Sequence, residues 1–170
     1  GRFALGMEAE RFLVADDAGL VVGNAGAFSM ELTVAPGLAV PVAGVTWVAV
    51  SPSHRRRGIM RRVVESLHDD ARRRGEAAAV LYASESSIYD NVGYGWATVQ
   101  QPVLLHSREL RFRDSAPGPE GVRFVEVEQI KTIGPVLHDA WRLGRVGAVS
   151  DPERRWQARS DLEGPPGSYA

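Results

Sequence analysis

The residues best suited to chemistry follow a short apolar run, where a turn rich in arginine and glycine leads into a helical pattern. The turn reads RRRG from Arg55 to Gly58, between the apolar run TWVAV and the helical pattern IMRRVVESL. A helix N-terminus leaves backbone amides without intrahelical partners, and the helix dipole favours negative charge there. Gly58 lets the backbone approach a ligand closely, and arginine side chains can bind phosphate oxygens through paired hydrogen bonds. The pattern therefore predicts a diphosphate site.

A hairpin is predicted upstream of this turn. Residues 10–17 and 19–34 alternate apolar and polar side chains around an Asp-Asp-Ala-Gly turn, which is typical of two antiparallel strands. Gly23 and Gly26 indicate a bulge or close packing in the second strand.

The turn itself is predicted to lie within a parallel strand, helix and strand unit. We expect a loop rich in proline and glycine over residues 34–44, followed by a short buried strand over residues 45–50. Apolar residues from Ile59 onward recur at helical spacing, and Gly75 marks the end of that helix. The run AAAVLYAS then predicts the next buried strand, which would lie parallel to the preceding one.

Further elements are expected downstream. The segment SSIYDNV predicts one or two helical turns capped by Ser86 or Ser87, and residues 93–110 resume as a strand. After a linker over residues 114–121, the run VRFVEVE predicts a strand. IKTIGPVLHDAWRLGR then predicts a helix with Pro135 near its first turn.

Composition argues against several classes of protein. Twenty Lys and Arg balance 21 Asp and Glu, so no global field attracts nucleic acid or an anionic membrane. The chain has no cysteine, and its four histidines are scattered along the sequence, at His54, His68, His106 and His138. We therefore expect no bound metal. No apolar run approaches the roughly 20 residues that span a bilayer, so we expect a soluble, cytoplasmic protein. The chain begins without Met and ends in GPPGSYA, and we treat it as a piece of a longer protein.

Two motifs together resemble a known family. The stretch SPSHRRRGIMR, followed by ASESSIYDNVGYG, is similar to the GCN5-related N-acetyltransferase (GNAT) superfamily and, more narrowly, to its Eis-like (enhanced intracellular survival) acetyltransferases. Residues from Arg55 fit the acyl-CoA loop pattern [QR]-x-x-G-x-[GA], except that Met60 replaces the usual small residue. The resemblance is close over residues 45–98 and looser over residues 10–140.

The resemblance implies a fold and a division into domains. The fold would be α/β (α+β), with a mixed central sheet and a strand, loop and helix that bind acyl-CoA. A GNAT domain would occupy residues 1–113, with its first helices preceding this chain. A linker over residues 114–121 would lead to a partial second GNAT-like domain over residues 122–170.

The resemblance also implies which residues bind acetyl-CoA, the co-substrate of the family. The strand residues would offer backbone groups to the pantetheine arm, the loop would hold the pyrophosphate, and two residues after the next strand would line the acyl end. These three groups are Val48, Ala49 and Val50; Arg56, Arg57, Gly58, Ile59, Met60 and Arg61; and Ser84 and Glu85.

Tyr89 matches the catalytic tyrosine of the family. Thioester aminolysis expels a thiolate whose conjugate acid has a pKa of about 8.5, and a phenol with a pKa of about 10 can supply the proton. A tyrosine that only packs a short helix against a sheet would look the same in sequence. Tyr94, between two glycines, is expected to pack a turn.

The resemblance implies acetyl transfer to a primary amine by direct attack. The acceptors would be aminoglycosides or amines of the lysine or polyamine type, in an acidic pocket to which Glu31 and Glu85 could contribute. The general base of such proteins is a carboxylate at the C-terminus of a longer chain, to which Ala170 does not correspond. Family members form hexamers, so a homo-oligomer is expected. The alternative is an acyl-CoA-binding or sensing module without turnover.

Overall fold

A four-stranded mixed sheet forms the centre of the fold. The computed structural model describes residues 7–99, 101, 103–106, 108, 111 and 123–160. The strands are β1 (Phe12–Asp17), β2 (Leu20–Ala35), β3 (Leu38–Val50) and β4 (Ala78–Leu81), and they lie in the order β1-β2-β3-β4. The first three strands are antiparallel, and β4 is parallel to β3. The mixed sheet expected from the sequence is confirmed.

The hairpin of β1 and β2 closes where it was predicted. Its turn has positive φ angles at Ala18 and Gly19, and the Gly19 amide donates to the Asp16 carboxylate over 3.0 Å. The glycines of β2 reflect close packing, as expected. A Cβ at Gly23 would lie 2.8 Å from Ile59 Cγ2, and one at Gly26 would lie 2.5 Å from the Phe12 ring.

The prediction of a loop over residues 34–44 is wrong, because β3 already begins at Leu38. Only Pro36 and Gly37 turn the chain, and Gly37 has a φ of 75°. Gly44 lies inside this strand, and the Met30 side chain of β2 occupies the space that a Cβ at this position would need. The prediction took the glycines and prolines of this segment as signs of a loop. Pairing with β2 and packing against Met30 instead keep the segment in a strand.

Helix α1 (Ile59–Arg73) packs its apolar face on the sheet, as predicted. Its buried side chains meet strand residues that are mostly small, and alanine side chains let the helix approach the sheet closely; this core includes Ala25, Ala27, Ala43, Val45, Val63, Leu67 and Ala71. The helix ends at the predicted glycine. Gly75 donates to Arg72 O over 3.1 Å and Glu76 to Ala71 O over 3.0 Å, so the last carbonyls are satisfied.

A buried ion pair ties the end of α1 to the start of β1. The Arg11 guanidinium donates to both Glu76 carboxylate oxygens over 2.7 Å, and to Ser29 Oγ over 2.9 Å. The Arg11 side chain is 0% exposed and that of Glu76 is 5% exposed. The buried charge is therefore compensated in paired, hydrogen-bonded geometry.

Two short 3₁₀ turns follow β4, at Ser86–Ile88 and Asp90–Val92. The N-cap of the first turn is Glu85 rather than Ser86 or Ser87, and it makes no side-chain capping bond. The strand expected from residue 93 is absent from the described part of residues 93–110. A strand needs a neighbouring backbone to pair with, and the described residues of this segment form no strand pairing. Trp96 is 72% exposed.

Two helices, α2 (Val127–Arg142) and α3 (Glu153–Ser160), form the C-terminal part. The strand expected over VRFVEVE is wrong where the structure describes it, because Glu126 and Gln129 form a capping box that starts α2. Pro135 lies inside α2 and not in its first turn. The linker expected over residues 114–121 lies outside the described residues.

The segment after α2 pairs with the distal half of β2, which extends beyond β1. Thr33 and Ala148 share a 2.9 Å backbone hydrogen bond, and Ser150 donates to Glu31 O over 2.8 Å. Arg142 of α2, which is 5% exposed, also donates to the Glu31 carboxylate over 2.7 Å. The division into two domains stays a prediction. No helix in the described ranges is both long and apolar enough to cross a membrane.

Candidate active site

The N-terminus of α1 is open toward an incoming anion. Its N-cap is Gly58, in the left-handed region with a φ of 74°, and no side chain caps the helix. The first intrahelical bond runs from Arg62 N to Gly58 O over 3.1 Å. The amides of the first turn, at Ile59, Met60 and Arg61, therefore lack intrahelical acceptors. A second positive φ, 63° at Arg56, shapes the loop before them.

A cleft of 290 Å³ lies against this helix N-terminus. Six of the predicted cofactor residues line it: Val50, Arg56, Gly58, Ile59, Met60 and Arg61. Further lining residues were not predicted, namely His54, Arg55, Ile88, Asn91 and Val92. The sequence signal for the last three was their place in the same IYDNV motif as Tyr89. The structure therefore brings the two motifs together on one cleft.

Three of the predicted residues that do not line this cleft lie on the surface: Arg57, Ser84 and Glu85. Ser84 and Glu85 follow the end of β4 and are exposed. Arg57 lies with its Nη1 3.6 Å from Asp17 Oδ2, in a pair whose two side chains are both more than half exposed. Such a surface pair contributes about 0–1 kcal/mol, so it leaves Arg57 able to bind another anion.

Strands β3 and β4 separate at the level of the cleft. Their parallel pairing runs from Val42 and Ala78 to Val45 and Leu81, and ends there. Strand β3 continues to Val50, paired with β2 alone among the strands that the structure describes. The edge that includes Val48, Ala49 and Val50 is thus open on the side of β4.

A bulge in β3 accompanies this opening. Asn24 pairs with Ala49 and Gly26 with Thr46, so two residues of β3, Trp47 and Val48, stand opposite one residue of β2. Trp47 has a φ of 54°, and its carbonyl accepts a hydrogen bond from the Asn24 side-chain amide. The Asn24 amide thus stabilises the bulge. The bulge or close packing expected at Gly23 and Gly26 of β2 is a separate feature: Ala15 pairs with Gly23 and Asp16 with Val21, which leaves Val22 as an extra residue in β2.

Tyr89 lies on the turn beside the cleft, where Ile88 and not Tyr89 itself contributes to the wall. Burial raises the pKa of the Tyr89 phenol. Tyr94 closes the same turn, as expected, and its ring contacts Tyr89 edge to face with 5.7 Å between centroids. Burial, and then the neighbouring Tyr89, raise the pKa of Tyr94 to about 12.

An interaction that the sequence did not reveal joins Tyr94 to α1. The Tyr94 hydroxyl lies 3.1 Å from His68 Nε2, and the two ring centroids are 5.4 Å apart. Burial, followed by the nearby charge of Arg72, lowers the pKa of His68. The ring is therefore neutral at pH 7, and its Nε2 can accept the phenol proton.

His54 belongs to a hydrogen-bonded chain at the base of the loop. Its Nδ1 lies 2.8 Å from Ser53 Oγ, and its Nε2 lies 3.2 Å from Asp17 Oδ2. This connects the loop that precedes α1 to the turn between β1 and β2. In the described part of the chain, no three His, Asp or Glu side chains come together as a metal site would require.

Glu31, considered above for an acidic acceptor pocket, is engaged elsewhere. It pairs with Arg142 at the distal end of β2, opposite Pro41 of β3. That part of the sheet borders a different cleft, between the sheet and α2 and α3. Glu31 therefore stabilises the contact between the sheet and α2.

A mixed sheet that opens beside an uncapped helix N-terminus is the arrangement of an acyl-CoA-binding acetyltransferase domain. The chain belongs to the GNAT family, since residues 2–97 match the family described as "Acetyltransferase (GNAT) domain". The resemblance and the fold inferred from the sequence are confirmed.

Individual proteins within this family are similar to the chain in sequence and in structure. The chain is 35% identical over 140 residues to N-acetyltransferase Eis of Mycobacterium tuberculosis, with 80% of the chain and 35% of that protein covered. It is 36% identical over 155 residues to an uncharacterized N-acetyltransferase of Streptomyces avermitilis, covering 89% of the chain and 37% of the relative. The crystal structure of Eis1 from Mycobacterium abscessus superimposes with a TM-score of 0.66 at 31% identity, over 89% of the chain and 39% of Eis1. The chain thus spans well under half the length of these relatives.

Proposed function

We propose that this chain binds acetyl-CoA and, within its full-length protein, transfers the acetyl group to a primary amine. The observation that carries the proposal is the separation of β3 from β4 directly beside the uncapped N-terminus of α1. A strand edge with unpaired backbone groups suits the amides of a pantetheine arm. A helix N-terminus with free amides suits a diphosphate. The two lie in the order in which acetyl-CoA carries these groups.

The charged residues of the loop complete the phosphate site in this proposal. Arg55, Arg56 and Arg61 line the cleft, and none of them forms an ion pair with a described residue. Their guanidinium groups can therefore bind phosphate oxygens in paired hydrogen bonds. The side chain of Met60 adds an apolar contact where related loops carry a small residue.

Tyr89 acts as the general acid in the proposed reaction. The amine nitrogen forms a bond to the acetyl carbonyl carbon, the C–S bond breaks, and the thiolate takes the Tyr89 proton. The nitrogen loses one proton as it becomes an amide, and that proton balances the one that Tyr89 donates. The raised pKa of Tyr89 keeps its phenol protonated at neutral pH, so the donor is present before the reaction begins.

The acceptor class, the base and the assembly are parts of the same proposal. We infer an amine of the aminoglycoside, lysine or polyamine type, a carboxylate base from outside this chain, and a homo-oligomer. A second candidate function is acyl-CoA binding without turnover. It is favoured by one observation, namely that Tyr89 does not itself line the cleft.

The two candidates are separated by titration calorimetry with acetyl-CoA and by a thiol-release assay on the natural full-length protein. A lysine peptide, a polyamine and an aminoglycoside serve as alternative acceptors. Tyr89→Phe should reduce kcat by a factor on the order of 10² or more, since general acid catalysis contributes that much, and should leave the Kd of acetyl-CoA unchanged. An unaltered rate would show that Tyr89 only packs. Binding with no amine-dependent thiol release would favour the second candidate.

A further inference from the structure

The contact between α1 and the tyrosine turn points to residues that position the acid. We propose that His68 and Tyr94 are positioning residues that hold the Tyr89 side chain at a fixed place relative to α1. The inference rests on the proposed role of Tyr89 as general acid. It adds two residues that are not among those lining the cleft.

The backbone of the turn places Tyr94 back over Tyr89. The Tyr89 carbonyl accepts hydrogen bonds from Val92 N over 3.0 Å and from Tyr94 N over 3.4 Å. Gly93 has a φ of 89°, which allows this closure. The Tyr94 ring then meets the Tyr89 ring at 74°, with centroids 5.7 Å apart. An edge-to-face contact at this distance is favourable and restricts the orientation of both rings.

Tyr94 is itself anchored on α1. Its hydroxyl lies 3.1 Å from His68 Nε2, in a part-buried hydrogen bond between residues 26 positions apart in sequence. Burial lowers the pKa of His68 and raises that of Tyr94, so both groups are neutral at pH 7. In the tautomer with the ring proton on Nδ1, the Tyr94 hydroxyl donates to His68 Nε2. A packing contact alone would require only the ring of Tyr94. The hydrogen bond between the Tyr94 hydroxyl and His68 also fixes the orientation of the Tyr94 ring relative to α1.

Helix α1 thereby connects the acid to the phosphate site. His68 lies about two and a half turns after Ile59, roughly 13 Å along the helix axis at 1.5 Å per residue. The N-terminus of α1 would hold the diphosphate, and its third turn holds Tyr94. The separation between diphosphate and acid is therefore set by one rigid helix.

The test compares four variants of the natural full-length protein in steady-state kinetics with acetyl-CoA and a polyamine. Tyr94→Phe and His68→Leu should each reduce kcat about tenfold and change the KM of acetyl-CoA less than twofold. His68→Gln should recover most of the rate, because its amide oxygen can accept the phenol proton. Ser66→Ala, which removes only an exposed hydrogen bond to Arg62 O on the same helix, should match the unaltered protein.

A double variant separates positioning from general stability. If Tyr94 acts through Tyr89, then Tyr89→Phe combined with Tyr94→Phe should be no slower than Tyr89→Phe alone. Full additivity, or an unchanged kcat in both Tyr94→Phe and His68→Leu, would overturn the inference. An unchanged kcat in Tyr89→Phe would instead refute the proposed role of Tyr89 as general acid. Calorimetric acetyl-CoA binding by each variant verifies that it is folded.

Discussion

Replacement of Gly58 by aspartate tests the phosphate site most directly, because the fold should tolerate it and the ligand should not. A Cβ at Gly58 would meet no atom within 4 Å, so the side chain has room. The φ of 74° is unfavourable for most residues by about 1–2 kcal/mol, but Asp and Asn enter this region more readily. At an N-cap, either is also better than glycine by a few tenths of a kcal/mol. The net change in the free energy of unfolding should be about 1 kcal/mol or less.

The effect on the ligand should be larger. A carboxylate about 5 Å from a phosphate charge is repelled by roughly 1–3 kcal/mol, for an effective dielectric constant between 80 and 20. The side chain would also cap the helix and occupy the amides that the diphosphate needs. Affinity for acetyl-CoA should therefore fall roughly 10- to 100-fold, or to no detectable binding.

Gly58→Asn is the matched control, since it has the same shape and capping ability without the charge. The affinity difference between the two variants isolates the electrostatic part, which should shrink as salt rises from about 0.05 to 0.5 M. Titration calorimetry gives both affinities, and thermal unfolding verifies the fold. Equal affinity of Gly58→Asp and the unaltered chain would refute the assignment of this loop to the diphosphate.

Two further predictions concern stability. The lowered pKa of His68 means that its unfolded state, with a pKa of about 6.5, binds a proton more readily. The contribution of neutral His68 to the free energy of unfolding is therefore present above about pH 6.5 and lost as the pH falls. In urea unfolding between about pH 5 and 7.5, His68→Gln should make the free energy of unfolding less dependent on pH. An identical pH dependence in the variant and the unaltered chain would contradict this. Glu76→Gln should cost about 3 kcal/mol, because among the described residues it leaves the buried Arg11 charge with only the Asp70 carboxylate, whose Oδ2 lies 3.6 Å from Arg11 Nε. Asp69→Asn, in an exposed pair with Arg72, should cost less than about 1 kcal/mol, and equal effects would argue against the buried pair.

Sequence patterns predicted the features that depend on local chemistry. Helix α1 was predicted from its apolar spacing and Gly75, and the unpaired amides at its N-terminus from the arginine- and glycine-rich turn before it. These depend on residues within a few positions of one another, so the pattern contains the information. The cleft that joins RRRG to IYDNV was anticipated only through the family resemblance, because nothing local relates the two motifs.

The features that were missed depend on contacts between distant residues. The length of β3 is set by its pairing with β2 and by Met30 over Gly44, which outweigh the local preference of glycine and proline for turns. The bulge at Trp47 exists because a side chain of another strand satisfies its carbonyl. The bond between His68 and Tyr94 likewise joins residues that no spacing rule relates.

Two stretches of strand edge that β1 and β4 leave unpaired, one on β2 and one on β3, have different consequences for association with other chains. A flat unpaired edge is a template on which another chain can add a strand and begin to aggregate. Residues 147–150 cover the distal edge of β2, so that surface is withdrawn from such pairing. The edge of β3 near Val50 has no such cover in the described part of the chain, but the bulge and the half-exposed Trp47 make it irregular. An irregular edge is a poor template for an intruding strand, so β3 can keep its backbone groups free for a small ligand without inviting self-association.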